Sequence, residues 1–309
     1  MADLPPAGSS CGRDEGFTTT AGVTASCSFT TVGGQPALRL ALQQGDAVVV
    51  ALQGAQVLSW EAAGRERLFL SPRARLDGHS AIRGGIPVCF PQFNQRGPLV
   101  KHGFARNVRW HVRPEWVASD GAAVVSFSLT DADLAQGVWA QRFAASIDVA
   151  LSPGALQVTL SVSNREPVGR TDAPLAFTGA LHTYLAVDDV GQATLSGLGG
   201  QAEWDAVADV NGLAADVQRF HTEFDRVYAA SPHALLLRDG AHTLAISQSP
   251  SFANTVVWNP GEHLGAQLAD MPENGHVHML CVEAAAVFAP VEVAPDTTWQ
   301  GWQKLQVVT

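Results

Sequence analysis

From about Ser26 onward, apolar and polar residues alternate in short runs separated by turn-forming dipeptides. In Ala155-Leu-Gln-Val-Thr-Leu-Ser-Val162, Val158, Leu160 and Val162 fall on one face and Thr159 and Ser161 on the other, the period of a half-buried strand. The preceding run Phe143–Leu151 and the connector Ser152-Pro-Gly154 complete a hairpin pattern. The same grammar recurs at Asp239-Gly240, between Ala234–Leu237 and Thr243–Ile246, and at Asp120-Gly121 ahead of Val124–Phe127. Asp-Gly suits the positive φ angles of tight hairpin turns. Helical periodicity is nearly absent; the stretch from Glu203 to Gln218 fits a short helix or a loop. Many short strands joined by turns predict an all-β chain, an antiparallel sandwich or barrel with few short helices. No repeat of 20–50 residues and no internal Pro/Ser-rich linker divides it, so residues 26–309 are expected to form one domain. Residues 1–25, rich in Gly, Ser, Thr and Pro, are expected to be a flexible extension.

Composition narrows the function. The 309 residues are 46% hydrophobic and 16% charged, enough to bury a large core, and the charged share lies below the usual ~25%. Nineteen Lys+Arg against twenty-nine Asp+Glu leave a net charge of −10, which argues against nucleic acid or an anionic membrane surface as partner. An anionic ligand must therefore be held by a local cluster of arginines. Cys11, Cys27, Cys89 and Cys281 lie far apart with no metal-ligand spacing, so no metal is expected. Cys89 and Cys281 sit in apolar runs and read as buried reduced thiols. The N-terminus lacks a basic segment followed by an apolar one, and no apolar run approaches the ~20 residues of a membrane span; a soluble, cytoplasmic protein is expected.

Four segments break the alternation and concentrate charge or imidazole. In Ala81-Ile-Arg-Gly-Gly-Ile-Pro-Val-Cys-Phe-Pro-Gln92, Arg83 precedes two glycines that let backbone approach a ligand closely; it could equally hydrogen-bond loop carbonyls. His102-Gly-Phe-Ala-Arg106 could point both His102 and Arg106 into one cleft, although a lone histidine there also suits a structural role. In Thr178-Gly-Ala-Leu-His-Thr-Tyr-Leu185, His182 lies in an apolar strand context where an imidazole needs a partner, a satisfied core histidine being the competing account. Glu283 is the solitary carboxylate of Met279–Val287, where desolvation would raise its pKa toward the range of a base near neutral pH; a salt bridge to an arginine is the alternative. Asp225, flanked by aromatics, reads on its own as a solvated loop aspartate. Trp258-Asn-Pro-Gly261 offers an indole that either stacks on a sugar ring or packs inside. His276 and His278 straddle Val277 without a metal-ligand set and read as exposed strand-edge residues.

In order along the chain, Gly54–Trp60, Ile82-Arg-Gly-Gly-Ile-Pro87, His102-Gly-Phe-Ala-Arg106, Leu181-His-Thr-Tyr184, Asp225-Arg-Val-Tyr228, Val257-Trp-Asn-Pro-Gly261, Cys281-Val-Glu-Ala-Ala285 and Trp299-Gln-Gly-Trp302 resemble the aldose 1-epimerase superfamily. The set is most similar to its hexose-6-phosphate mutarotase branch, the glucose-6-phosphate 1-epimerases, especially the bacterial members. Each motif alone is weak, but the ordered set spans nearly the whole chain from about Gln53. The resemblance implies a large antiparallel β-sandwich of the galactose mutarotase-like kind, with its site in a cleft on a concave sheet face. It implies His182 as general acid and Glu283 as general base, with His102 and Asp225 orienting sugar hydroxyls. It implies Arg83 and Arg106 as the residues that take a phosphate, and Gln92 and Trp258 as cleft lining. Guanidinium forks match phosphate oxygens in charge and shape. Lys101 and Lys304 are the only lysines, so an anion site here must be mostly arginine.

The implied reaction interconverts α and β anomers: the C1 hydroxyl loses its proton while the ring oxygen gains one, C1–O5 opens, and the aldehyde rotates and recloses. A protonated imidazole opposite a raised-pKa carboxylate would supply both halves, each worth ~10²–10⁴-fold, with no cofactor. Three alternatives remain at this level. A mutarotase for free aldoses would not need Arg83 and Arg106. A lectin-like sandwich would bind sugar without chemistry. A glycosidase would use Asp225 and Glu283 about 5–9.5 Å apart. The partner is expected to be a small sugar phosphate, and the chain a monomer.

Overall fold

The computed structural model describes residues 16–18, 23–113, 117–119, 121–167 and 174–308. Three antiparallel sheets carry the chain. The first, six-stranded, is a meander that begins at Gly16–Thr18, continues with Thr24–Val32, and ends at Arg65–Glu66. The second has ten strands and the third, which carries the site, has eight. Among the described residues the one α-helix is Gly261–Gln267. No helix of the described residues is long and apolar enough to cross a membrane.

The alternation translates directly into burial. Ala122–Thr130 alternates half-buried and buried at every position. Phe143–Ser152 pairs with Ala155–Asn164 along its whole length, closed by Gly154 at φ 67°. Leu235–Asp239 and His242–Gln248 close through Gly240 at φ 58°. Asp120 of the third Asp-Gly turn lies outside the described residues, as do residues 1–15 and 19–22 of the N-terminal extension. Of that extension, Gly16–Thr18 pairs with the strand that Thr24 opens.

Glu203–Gln218 is neither helix nor plain loop. It supplies the strands Ala202–Asp205 and Val210–Leu213 and most of Val217–Arg219. The Asp205 carboxylate accepts from the Val207 and Ala208 N–H groups, and Asp209 turns at φ 54°, so a local aspartate turn outcompetes helix nucleation.

Residues of all three sheets meet in one core cluster, including Leu38 and Val50 from the first, Ile147 and Leu160 from the second, and Leu181 and Val282 from the third. Along Met279–Val293 the inward residues are Leu280, Val282, Ala284 and Ala286, and the alternate ones, Cys281, Glu283 and Ala285, face the other side. Both faces are covered, so the run reads as continuously apolar in sequence.

Candidate active site

Register alone assembles the floor of the site. Leu181 pairs with Ala284 and Tyr184 with Cys281, so the intervening step sets His182 opposite Glu283. On the other side of the same strand, Val256 pairs with Glu283 and Trp258 with Cys281; Val227 and Asp225 then pair with Val256 and Trp258. Directly opposed residues of an antiparallel sheet share a face, and alternate residues along a strand share it too. Two adjacent rows result on one face: Val227–Val256–Glu283–His182 and Asp225–Trp258–Cys281–Tyr184. His182 stacks on Tyr184, with centroids 4.9 Å apart and 8° between planes, and meets Trp258 edge-on at 6.1 Å.

His182 Nδ1 lies 3.2 Å from Glu283 Oε1. Neither His182 Nδ1 nor Glu283 Oε2 has a hydrogen-bonding partner among the described residues. Burial, reinforced by Asp225, raises the Glu283 carboxyl well above the usual range, with Arg106 opposing. Burial lowers His182 well below an ordinary histidine, helped by His102, Arg106 and Arg83. A dry site disfavours the charged form of both groups, and the cations around His182 add to this for the imidazole, working against the protonated acid that the resemblance implies.

His102 comes over this floor from the wall, its ring 5.5 Å from that of His182, and adopts φ 66° in the left-handed region just before Gly103. Such strain in a non-glycine residue costs about 1–3 kcal/mol and persists only where the surroundings over-determine it. Here they do. The Asn94 N–H donates to His102 Nδ1 at 3.3 Å, and the Cys89 thiol stands 3.2 Å from the same nitrogen. Burial, with Arg106, Lys101 and Arg83 adding, pushes His102 down to about 3, and the Cys89 thiol is pushed up to about 12 by burial. Both groups are neutral, so Nδ1 accepts and His102 carries its proton on Nε2.

The cleft above the floor measures about 340 Å³, and its wall is cationic. Arg106 directs Nη2 to the Lys101 carbonyl at 2.9 Å, leaves its buried Nε without a partner and makes no ion pair among the described residues. Arg83 bonds side chains rather than the loop carbonyls of the alternative account: Asp270 through Nε at 3.2 Å and the Tyr184 hydroxyl through Nη1 at 3.0 Å. Burial pulls the guanidinium down, but Tyr184 and Asp270 outweigh it and hold the charge firmly. Asp225, on the strand Phe224–Ala229 rather than in a loop, is half-buried and pushed up to about 6 by burial and Glu223.

Arg83, His102, Arg106, His182, Asp225, Trp258 and Glu283 all line this one cleft. Gln92 does not. Its amide bonds the Asn94 and Leu99 carbonyls and accepts from the Leu99 N–H, so it braces the loop behind His102. The two glycines after Arg83 serve packing rather than a ligand, since a Cβ on Gly84 would fall 2.3 Å from the Phe69 carbonyl oxygen and one on Gly85 2.0 Å from that of Val57. His276 and His278 belong to the 3₁₀ turn Gly275–His278, not to a strand edge. Sequence reasoning missed Tyr184 and Asp270, which grip Arg83. It also missed Arg96, which lies 5.4 Å over Trp204 and 5.2 Å over Phe288 at the cleft. Tyr184 was within reach, sharing the face of His182 two residues on; Arg96 in an exposed loop carries no local signal. A larger hollow of about 910 Å³, beyond the helix Gly261–Gln267, holds none of the predicted site residues.

The cleft thus lies on one face of a large antiparallel sheet, floored by an opposed histidine and glutamate. The chain belongs to the aldose 1-epimerase family, whose model matches residues 37–306. It is 36% identical to the "Putative glucose-6-phosphate 1-epimerase" of Escherichia coli K12 over 249 residues, covering 76% of this chain and 78% of that one. The protein of the same name from Cenchrus ciliaris is 34% identical over 267 residues, covering 83% and 80%. Among solved structures, a "putative mutarotase" from Salmonella typhimurium superposes with a TM-score of 0.78 at 25% identity, covering 96% of this chain and 97% of that one. Galactose 1-epimerase from Lactobacillus acidophilus shares the fold at 14% identity, with a TM-score of 0.66 over 93% and 99% of the two chains.

Proposed function

We propose that this chain interconverts the α and β anomers of a hexose 6-phosphate, glucose 6-phosphate above all. The observation that carries the reading is the His182–Glu283 pair: 3.2 Å apart, opposed by strand register, with atoms free of other partners in a cleft walled by arginine. A pair that holds one proton offers one acid and one base. With the proton moved to His182, the imidazolium protonates the ring oxygen O5 while the Glu283 carboxylate takes the C1 hydroxyl proton, and the C1–O5 bond opens. The aldehyde turns about C1–C2, and closure returns both protons with the roles exchanged.

The remaining residues position the sugar. His102 donates from Nε2 to a sugar oxygen, Asp225 accepts from a hydroxyl, and Trp258 offers its ring. The phosphate goes to Arg106, whose guanidinium makes no ion pair among the described residues, and to Arg83 as it shares itself with Asp270. The dianion also offsets the two positive charges that depress the proton affinity of His182, so the ester that anchors the substrate favours the protonated acid. A cytoplasmic location suits a substrate whose charge keeps it from crossing membranes. A single chain supplies the whole cleft, so a monomer suffices.

The engagement of Arg83 with Asp270 favours one competitor, a mutarotase for free aldoses. Anomer-exchange NMR on equilibrated glucose 6-phosphate, with free glucose in parallel, separates the two. Exchange accelerated selectively for the ester supports the proposal; acceleration of free glucose alone replaces it with the competitor.

A further inference from the structure

Cys281 has no part in the chemistry above, yet it stands on the floor beside it. Alternation along its strand puts it on the same face as Glu283. His182, Cys281 and Glu283 each bring one potential ligand atom to within 4.8 Å of the others, and all three side chains are buried. Even at that upper limit, an ion equidistant from the three would lie about 2.8 Å from each. Zinc bonds run about 2.0–2.3 Å, so inward shifts of under an ångström close the site. One edge is already near closed: Nδ1 and Oε1 are 3.2 Å apart, close to the edge of a tetrahedral zinc site. His182 Nδ1 and Glu283 Oε2 are buried without hydrogen-bonding partners, which leaves lone pairs free for an ion.

We propose that the floor of this cleft is a binding site for a thiophilic divalent cation, zinc in the first place, held by His182, Cys281 and Glu283, and that the bound ion blocks the enzyme. Binding rests on the geometry of the three side chains; blocking rests on the acid–base reading of His182 and Glu283. One thiolate, one carboxylate and a divalent ion sum to zero charge, the form in which a buried ionic site costs least. The thiol proton, and that of Glu283 where it is present, leave to solvent as the ion enters. A sulfur ligand selects zinc or cadmium over magnesium and calcium. Arg83 and Arg106 on the wall oppose a cation, while Asp225 and Asp270 favour it.

The test titrates the chelator-stripped full-length protein with zinc chloride by calorimetry, with anomer exchange followed in parallel. Cadmium gives an independent readout through its sulfur-to-metal charge-transfer absorption. The expected result is one zinc per chain, loss of activity restored by EDTA, proton release on binding, and no effect of magnesium. Cys281→Ala is expected to keep basal activity, weaken zinc at least about 100-fold and lose the cadmium band. Cys281→Ser serves if the alanine variant does not fold. Failure of the wild type to bind zinc, or equal inhibition of wild type and Cys281 variants, overturns the site. Binding through Cys281 without loss of activity upholds the site and counts against the acid–base reading instead.

Discussion

Replacing Glu283 by glutamine separates catalysis from stability. The side chain is 1% exposed, and burial together with Asp225 already works against its charged form. Glutamine has the same size and shape but no proton to take or give, so the hydrogen-bonding volume stays filled while the acid–base half is lost. The expected fall in kcat is ~10²–10⁴-fold, the worth of one positioned acid–base group. KM for glucose 6-phosphate should move little, because the anchors of the ester lie on the wall. Burial and Asp225 already favour the uncharged carboxyl, and the amide is uncharged too, so no buried charge is gained or lost and Tm should hold within about 2–4 °C, the equivalent of about 1 kcal/mol. Saturation kinetics of anomer exchange and a thermal melt on the same preparation read both quantities. A kcat within about tenfold of wild type would refute the catalytic role. A Tm lowered by more than about 5 °C would show that Glu283 serves the fold as an ion-pair partner.

Three further outcomes follow from the wall and its supports. Arg106→Gln should raise KM for glucose 6-phosphate roughly 10–100-fold, the worth of one charge-assisted hydrogen bond, and leave KM for free glucose unchanged; equal KM effects on both sugars would remove Arg106 from the phosphate. Asp225 has a folded pKa of about 6 against an unfolded value near 3.8, so between those pH values the folded state keeps a proton the unfolded state has released. Stability therefore declines as pH rises through that window, KM rises as pH falls below about 6, and Asp225→Asn should flatten both dependences in urea melts and kinetics. Gly85→Ala places a Cβ 2.0 Å from the Val57 oxygen at φ 62°, and should cost about 2–5 kcal/mol from strain and overpacking; a Tm within about 2 °C of wild type would show that the loop yields freely.

The fold was legible because strand alternation and turn chemistry agree. Hairpins such as Phe143–Asn164 announce themselves through period 2 on both arms and a glycine at the one position that needs positive φ. Glu203–Gln218 was opaque because Asp205 and Asp209 set turns by side-chain hydrogen bonding and backbone conformation, and neither follows from hydrophobic period. The order of the three sheets was out of reach as well. Pairings such as Ala155 with Gln306 join segments about 150 residues apart, and no local pattern encodes them.

The site divides along the same line. Its floor depends on which residues share a strand face and a register, so a glutamate inside an apolar run and a histidine inside another were visible as anomalies. Their meeting at 3.2 Å is a consequence of pairing that only the folded sheet supplies. Its wall comes from loops, where a residue's direction is set by its own local bonds. The resemblance implied Gln92 as cleft lining, yet its amide is consumed by the loop backbone at Asn94 and Leu99. Gly84 and Gly85 looked like a ligand approach, yet they admit the Phe69 and Val57 carbonyls. Asp270 could not be foreseen at all, being 187 residues from the arginine it holds. The division has a functional consequence. On the proposed reading, a floor fixed by register would keep the same proton chemistry while loops exchange arginines for other side chains, and the choice between an ester and a free sugar would rest with Arg83, Arg106 and their neighbours rather than with His182 and Glu283.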